Sequence, residues 1–166
     1  MKLQILTTGG TIDKLYFDDL SEFQVGDPQI VEFLREANVN FEFEVAVLFQ
    51  KDSLDLTDDY RAKIRAAVVA SPHRQVLITH GTDTMTTTAA SLDGIPDKTI
   101  VLTGSITPAR FRASDAAFNI GYAIAAAQRL PTGVYLAMNG RVFDPDKVQK
   151  TLARVDLKRH SLSKSA

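Results

Sequence analysis

The stretch Val76–Met85 (VLITHGTDTM) changes character halfway along its length. It begins with an apolar run that is short enough for a buried strand. It then breaks at Gly81 into polar residues, and a segment of helical composition follows at once. In open α/β sheets, ligands bind in the crevice at the ends of such strands. Two interpretations stay open for Thr82 and Asp83: they cap the next helix, or they contact a substrate.

The same order of apolar run, polar turn and helix recurs along the chain. Because strands alternate with helices, we expect a mainly parallel sheet with right-handed crossovers. The predicted fold class is therefore α/β: one three-layer domain, Rossmann-like or flavodoxin-like, in which helices flank the sheet. The predicted strands are 3–7, 41–49, 76–79, 99–102 and 133–138, with a short added strand at 141–143, and the predicted helices are 27–37, 57–70, 84–92, 116–127 and 146–157.

Composition narrows the class of protein. The 166 residues suit one domain, 1–166, and 45% hydrophobic residues are enough for a full core. A formal net charge of -1 gives no basic field for nucleic acid. The absence of cysteine excludes a disulfide framework and a thiolate nucleophile. The three histidines are not spaced as a metal site, so no metal or cofactor is expected. No apolar run approaches a membrane span, and we expect a cytoplasmic protein.

Three segments carry further expectations. Residues 13–27 are polar and aromatic without clear periodicity, which predicts a mobile loop that acts as a lid or lies on the surface. The tail from about residue 158 is basic and serine-rich, which predicts a frayed end. The helix at 116–127 is apolar almost all round, so the core or another subunit must cover more than one of its sides. We therefore expect a homo-oligomer, a dimer or a tetramer.

A parallel sheet brings the carboxyl ends of its strands to one edge, where this sequence places small polar residues. Hydroxyls, amides and one carboxylate are expected to line a pocket there. A threonine nucleophile needs a base or a charged relay to activate it, for which Asp83 and Lys150 are candidates. This composition favours acyl transfer through a threonine without metal. The residues at the edge are Thr8, Thr11, Ser53, Thr82, Asp83, Ser105 and Asn139.

Several motifs in this chain resemble those of the bacterial-type L-asparaginases. TGGTI at 8–12 and HGTDTM at 80–85 are similar to the two signature motifs of that family. LTGS at 102–105, MN at 138–139 and VQKT at 148–151 resemble it as well, in the same order. The resemblance covers nearly all of this chain but only the family's N-terminal domain, as in a short, single-domain form.

The resemblance implies roles for particular residues. Thr11 would be the nucleophile with Tyr16 as its partner, and Thr82, Asp83 and Lys150 would form a proton-relaying triad. The reaction would be hydrolysis of the small-molecule substrate L-asparagine to aspartate and ammonia through a threonine acyl-enzyme. The substrate contacts would come from Gly10, Asp52, Ser53, Gly81, Thr82 and Asp83.

The sequence also departs from the family pattern. Asp13 stands where the family favours a small residue, and Leu54 stands where a polar residue helps to bind substrate. The spacer from Thr11 to Tyr16 is short. Family members usually carry a second domain that completes the site, so this chain is either a compact form or a fragment. Two other functions therefore stay open: an amino-acid-binding module that hydrolyses little, and an amidase for another amide such as glutamine.

Overall fold

The structure is a computed structural model that describes the backbone of residues 2–17, 22–151 and 156–159, with the side chains of 2–15 and 24–148. Four helices and ten strands lie within these residues. The strands are β1 (Lys2–Gly9), β2 (Lys14–Phe17), β3 (Glu22–Val25), β4 (Glu42–Lys51), β5 (Gln75–Thr79), β6 (Thr99–Thr103), β7 (Gly133–Met138), β8 (Arg141–Phe143), β9 (Val148–Thr151) and β10 (Asp156–Arg159). The helices are α1 (Ile30–Glu36), α2 (Asp58–Ala70), α3 (Met85–Ser91) and α4 (Ala116–Arg129).

The main sheet has six strands in the order β4-β1-β5-β6-β7-β8. The first five pair in parallel, and the short β8 pairs antiparallel with β7. This confirms the predicted α/β class and the added strand at 141–143. The chain runs from β1 outward to β4 and then returns to β5 on the other side of β1. The strand order thus reverses between β1 and β5, and such a switch point opens a crevice beyond the carboxyl ends of the strands.

Successive residues of each strand pack into two different cores, one on each face of the sheet. Leu6, Ile78 and Leu102 are register partners that face the layer of α2 and α3. Ile5, Leu77 and Val101 form the next row and face the layer of α1 and α4. Both rows are almost fully buried. The near-continuous apolar runs in the sequence therefore reflect strands that are covered on both faces.

Two predicted segments differ in the structure. Part of the loop expected at 13–27 is an antiparallel hairpin in which β2 pairs with β3; residues 18–21 lie outside the described part, and mobility stays a prediction. The helix predicted at 146–157 is wrong, because a 3₁₀ turn at Pro145–Lys147 leads into β9, which pairs antiparallel with β10. The backbone N–H and C=O groups of β9 are paired with those of β10 and not within a helix. The spacing of apolar residues along the sequence does not reveal such pairing. The tail that is predicted to fray from about residue 158 includes the last residues of β10. Its remaining residues, 160–166, lie outside the described part of the chain.

Helix α4 is confirmed and extends to Arg129. Its buried face includes Ile120 and Ala123, while Phe118 is 61% exposed and stacks on Tyr122 with ring centroids 6.3 Å apart. The helix is therefore not covered all round within one chain. None of the helices in the described part of the chain is long and apolar enough to cross a membrane.

The two-sided core gives a direct test of the fold. Leu77→Ala removes a fully buried side chain from the central strand β5 and should lower the free energy of unfolding by about 2–5 kcal/mol. The control is Val69→Ala on α2, where the side chain is 59% exposed and the expected change is within about 0.5 kcal/mol. Urea unfolding followed by circular dichroism measures both. Equal effects would contradict the assignment of Leu77 to the core.

Candidate active site

The turn after β1 touches the turn after β5 through backbone atoms alone. Gly10 has φ +87°, which glycine tolerates and other residues avoid. A Cβ at Gly10 would overlap the backbone nitrogen of Gly81 and would lie 2.5 Å from its Cα. Thr11 follows directly and begins a short 3₁₀ turn, Thr11–Asp13, in which it is half-buried. The close approach of the two glycines therefore places Thr11 beside the HGTD turn, at the switch point of the sheet.

The turn after β4 packs against the same place. A Cβ at Gly81 would lie 2.5 Å from Ser53 Oγ. The Ser53 hydroxyl is buried and has no hydrogen-bond partner among the described residues. The Gly10 N–H donates to the Lys51 carbonyl at 2.8 Å, and the Thr84 hydroxyl donates to the Ser53 carbonyl at 2.7 Å. The structure thus brings together Gly10, Ser53 and Gly81, as the sequence predicts.

Asp52 lies one residue before Ser53 and joins two elements. Its carboxylate accepts a hydrogen bond from the Leu54 N–H at 3.1 Å and forms an ion pair with Lys14 Nζ at 2.6 Å. Because Lys14 begins the hairpin strand β2, Asp52 ties the hairpin to the site. The predicted substrate contact of Asp52 is not tested by these bonds and stays a prediction.

Thr82 and Asp83 continue the turn after Gly81. Thr82 is buried, whereas Asp83 is exposed at this edge of the sheet. The N-cap residue of α3 is Thr84, and its side chain makes no capping hydrogen bond. Neither Thr82 nor Asp83 is therefore the N-cap residue of α3, and their contact with a substrate stays a prediction.

His80 makes hydrogen bonds within the fold. It is fully buried, its Nδ1 lies 2.7 Å from the Gly81 carbonyl, and its Nε2 lies 2.8 Å from the Thr88 hydroxyl. Burial lowers the pKa of His80 to about 4, so the ring is neutral near pH 7 and fixes the shape of the turn. Within the described residues, no group of three or more potential ligand side chains could hold a metal ion.

Two residues that shape the site were missed in the sequence. Asp115 accepts hydrogen bonds from the N–H groups of Ile106 and Thr107 at 3.0–3.1 Å. Asn119 donates to the Gly104 carbonyl at 3.0 Å and accepts from the Asn139 N–H at 2.9 Å. Both residues hold the turns after β6 and β7. The available signal was Asn119, a polar residue within an otherwise apolar helix.

Other predicted residues have structural bonds or lie partly outside the description. The Thr8 hydroxyl donates to the Thr79 carbonyl at 2.8 Å, and the Ser105 hydroxyl donates to the Thr107 carbonyl at 2.6 Å. Both hydroxyls therefore stabilise the backbone by donating to carbonyl groups. Tyr16 lies on β2 and Lys150 on β9, but their side chains lie outside the described residues. The roles of Tyr16 and Lys150 stay predictions.

Comparison with known proteins identifies the family. The profile described as "Asparaginase, N-terminal" matches residues 2–156, which is nearly the whole chain. The chain belongs to the asparaginase family. This confirms the resemblance carried by TGGTI and HGTDTM, and the match is to the family's N-terminal domain.

Individual relatives agree with this assignment. The chain is 32% identical to a probable periplasmic L-asparaginase of Haemophilus influenzae over 164 residues, covering 90% of this chain and 46% of that protein. It is 32% identical to a glutamyl-tRNA(Gln) amidotransferase subunit of Saccharolobus islandicus, covering 80% of this chain and 32% of that protein. A solved structure of a probable cytoplasmic L-asparaginase from Campylobacter jejuni matches 97% of this chain and 53% of its own, with a TM-score of 0.80 and 26% identity. This asparaginase-family chain therefore spans at most about half the length of the relatives named.

The glycine contact at the centre of the site is open to direct test. Gly10→Ala should lower the free energy of unfolding by more than the roughly 1–3 kcal/mol expected from a positive φ alone, because its Cβ would also overlap Gly81. Gly94→Ala is the matched control, since Gly94 has φ +73° but no atom within 4 Å of an added Cβ. Urea unfolding compares the two variants. A smaller loss for Gly10→Ala than for Gly94→Ala would contradict the close approach.

Proposed function

We propose that this asparaginase-family site hydrolyses the side-chain amide of L-asparagine to aspartate and ammonia through an acyl-enzyme on Thr11. The observation that carries the proposal is the contact between Gly10 and Gly81. That contact makes neighbours of the candidate nucleophile Thr11 and of the turn that holds Thr82 and Asp83. Family membership and the match to L-asparaginases support an amidohydrolase.

In the proposed reaction, the Thr11 hydroxyl attacks the amide carbonyl carbon while its proton passes to the relay. The relay then passes a proton to the amide nitrogen, and the tetrahedral intermediate expels ammonia and leaves an ester on Thr11. Water hydrolyses the ester to release aspartate and the free Thr11 hydroxyl. Backbone N–H groups near Gly81 and Thr82 are the proposed donors to the oxyanion, and one such donor is typically worth ~3 kcal/mol. Lys150 and Tyr16 are the proposed proton-transfer partners.

Substrate selection is proposed to rest on Ser53 and Asp83. The buried Ser53 hydroxyl, unpartnered within the described residues, is suited to donate to the α-carboxylate of an amino acid. The exposed Asp83 carboxylate is suited to bind an α-ammonium group. Gly10, Gly81 and Asp52 complete the proposed set, the glycines through their backbones and Asp52 beside Ser53.

A second candidate function is amide hydrolysis on a different substrate, such as glutamine or an amide used in transamidation. It is favoured by the relative named as an amidotransferase and by Leu54, which is 71% exposed next to Ser53. A third candidate is an amino-acid-binding module that hydrolyses little, which the same apolar Leu54 beside Ser53 motivates.

Ammonia release from L-asparagine and L-glutamine tests the proposal. Thr11→Ala should lower turnover by about a thousandfold or more, because the nucleophile is lost. Thr87→Ala on α3 is the matched control: it also removes a threonine hydroxyl, from an exposed position, and should leave turnover unchanged. Full activity in Thr11→Ala would refute the assigned nucleophile.

The same assay separates the other candidates. Faster ammonia release from glutamine would favour the second function. No release from either amide, combined with a higher Tm in the presence of asparagine or aspartate, would favour the binding module.

We also propose that the protein acts as a homo-oligomer in the cytoplasm. The exposed Phe118 and the half-buried Tyr122 that stacks on it give α4 an apolar surface that a second copy would cover. One relative is named periplasmic and another cytoplasmic, so the cytoplasmic location of this protein stays a prediction. Light scattering at micromolar concentration measures the mass, and a monomer would refute the oligomer.

A further inference from the structure

A buried carboxyl ends the turn that carries Thr11. Asp13 is 2% exposed, although it stands two residues from the proposed nucleophile. Its N–H donates to the Gly10 carbonyl at 3.2 Å, and its carbonyl accepts from the Gly26 N–H at 2.7 Å. Asp13 therefore links the Gly10 backbone on one side to the segment between β3 and α1 on the other.

The two oxygens of this carboxyl have different surroundings. Oδ1 accepts a hydrogen bond from the Gln29 N–H at 2.9 Å, just before α1. Oδ2 is buried and has no hydrogen-bond partner among the described residues. A charged oxygen without a donor is costly to bury, so the site disfavours the carboxylate. Burial raises the pKa of Asp13 to about 7; Asp27 adds to the rise and the Gln29 bond opposes it.

Among the described side chains, the other charged groups on the surrounding elements have partners of their own or face solvent. Asp27 is exposed, and its carboxylate accepts from Gln50 at 3.2 Å. The loop that donates the Ala109 N–H to the Ile12 carbonyl carries an exposed arginine. The described groups on these elements are Lys14 paired with Asp52, Glu32 paired with Arg35, Asp115 bonded to backbone N–H groups, and exposed Asp27, Glu36, Arg110 and Arg112.

We propose that Asp13 is a positioning residue that couples its own charge to the placement of the Thr11 turn. In the neutral state, the carboxyl sits in the buried site and the turn keeps the geometry described above. In the ionised state, Oδ2 requires a donor, and none of the described residues supplies one in this geometry. Water entry or a shift of the turn would supply it. The added negative charge also opposes the oxyanion that develops at the Thr11 acylation step. The effect on turnover rests on the proposed function; the movement of the turn does not.

The raised pKa of Asp13 makes the free energy of unfolding depend on pH. The ordinary pKa of an aspartate is near 3.8, and burial raises that of Asp13 to about 7 in the folded chain. Between pH 4 and pH 7 the folded chain therefore binds more protons at this residue than the unfolded chain does. The contribution of Asp13 to stability thus falls as the pH rises through this window. Asp13→Asn should remove that fall, and chemical unfolding at several pH values measures it.

NMR on the 166-residue chain tests the coupling without needing turnover. The Asp13 carboxyl carbon and the backbone amides of Gly10 and Thr11 are followed from pH 5 to pH 9. We expect the amides to shift with the same midpoint as the carboxyl. Asp27→Asn is the matched control, because it removes an exposed neighbouring carboxylate; the shifts should persist with a lower midpoint. Asp13→Asn should abolish them.

Turnover measured over the same pH range extends the test. The kcat/KM of the wild-type chain should fall by at least about fivefold as Asp13 ionises, whereas Asp13→Asn should not show that step. Gly10 and Thr11 amides that stay still while the carboxyl titrates would overturn the proposal, and this measurement needs no variant to fold. A chain that releases no ammonia at any pH would instead overturn the proposed function.

Discussion

The site depends on the close approach of two backbones, Gly10 after β1 and Gly81 after β5. Any side chain at Gly10 would overlap Gly81, and a Cβ at Gly81 would press on Ser53. A Cβ at Gly104 would overlap the His80 carbonyl in the same way. The turns after four neighbouring strands therefore pack closely against three glycines, which leaves small polar groups to line the edge where the strand order reverses.

Polar side chains behind the edge hold these turns in place. His80 is kept neutral by burial and bonds both its own turn and Thr88. Asp115 and Asn119 reach from α4 and its N-terminus to the turns after β6 and β7. These groups shape the site from within the fold, whereas the proposed function assigns other polar residues of the edge to the substrate. Because some polar residues at the edge hold the turns in place, only the remaining ones are candidates for chemistry.

The chain belongs to the asparaginase family but differs from the family pattern at individual positions. The asparaginase profile covers nearly all of this chain, but the chain spans at most about half the length of the relatives named. Asp13 is one departure from the family pattern, and it is buried in the turn that carries Thr11. A titratable carboxyl at that point joins the Thr11 turn to the hairpin exit and to the start of α1.

Local patterns in the sequence predict the parallel α/β core, the glycine turns and the family. Apolar runs bounded by turn residues are local signals, and HGTDTM is long enough to be specific. Tertiary structure decided the rest: the pairing of β2 with β3 and of β9 with β10, the bonds of Asp115 and Asn119, and the burial of Asp13. Each depends on contacts between separate segments of the chain, so neither periodicity nor composition reveals them.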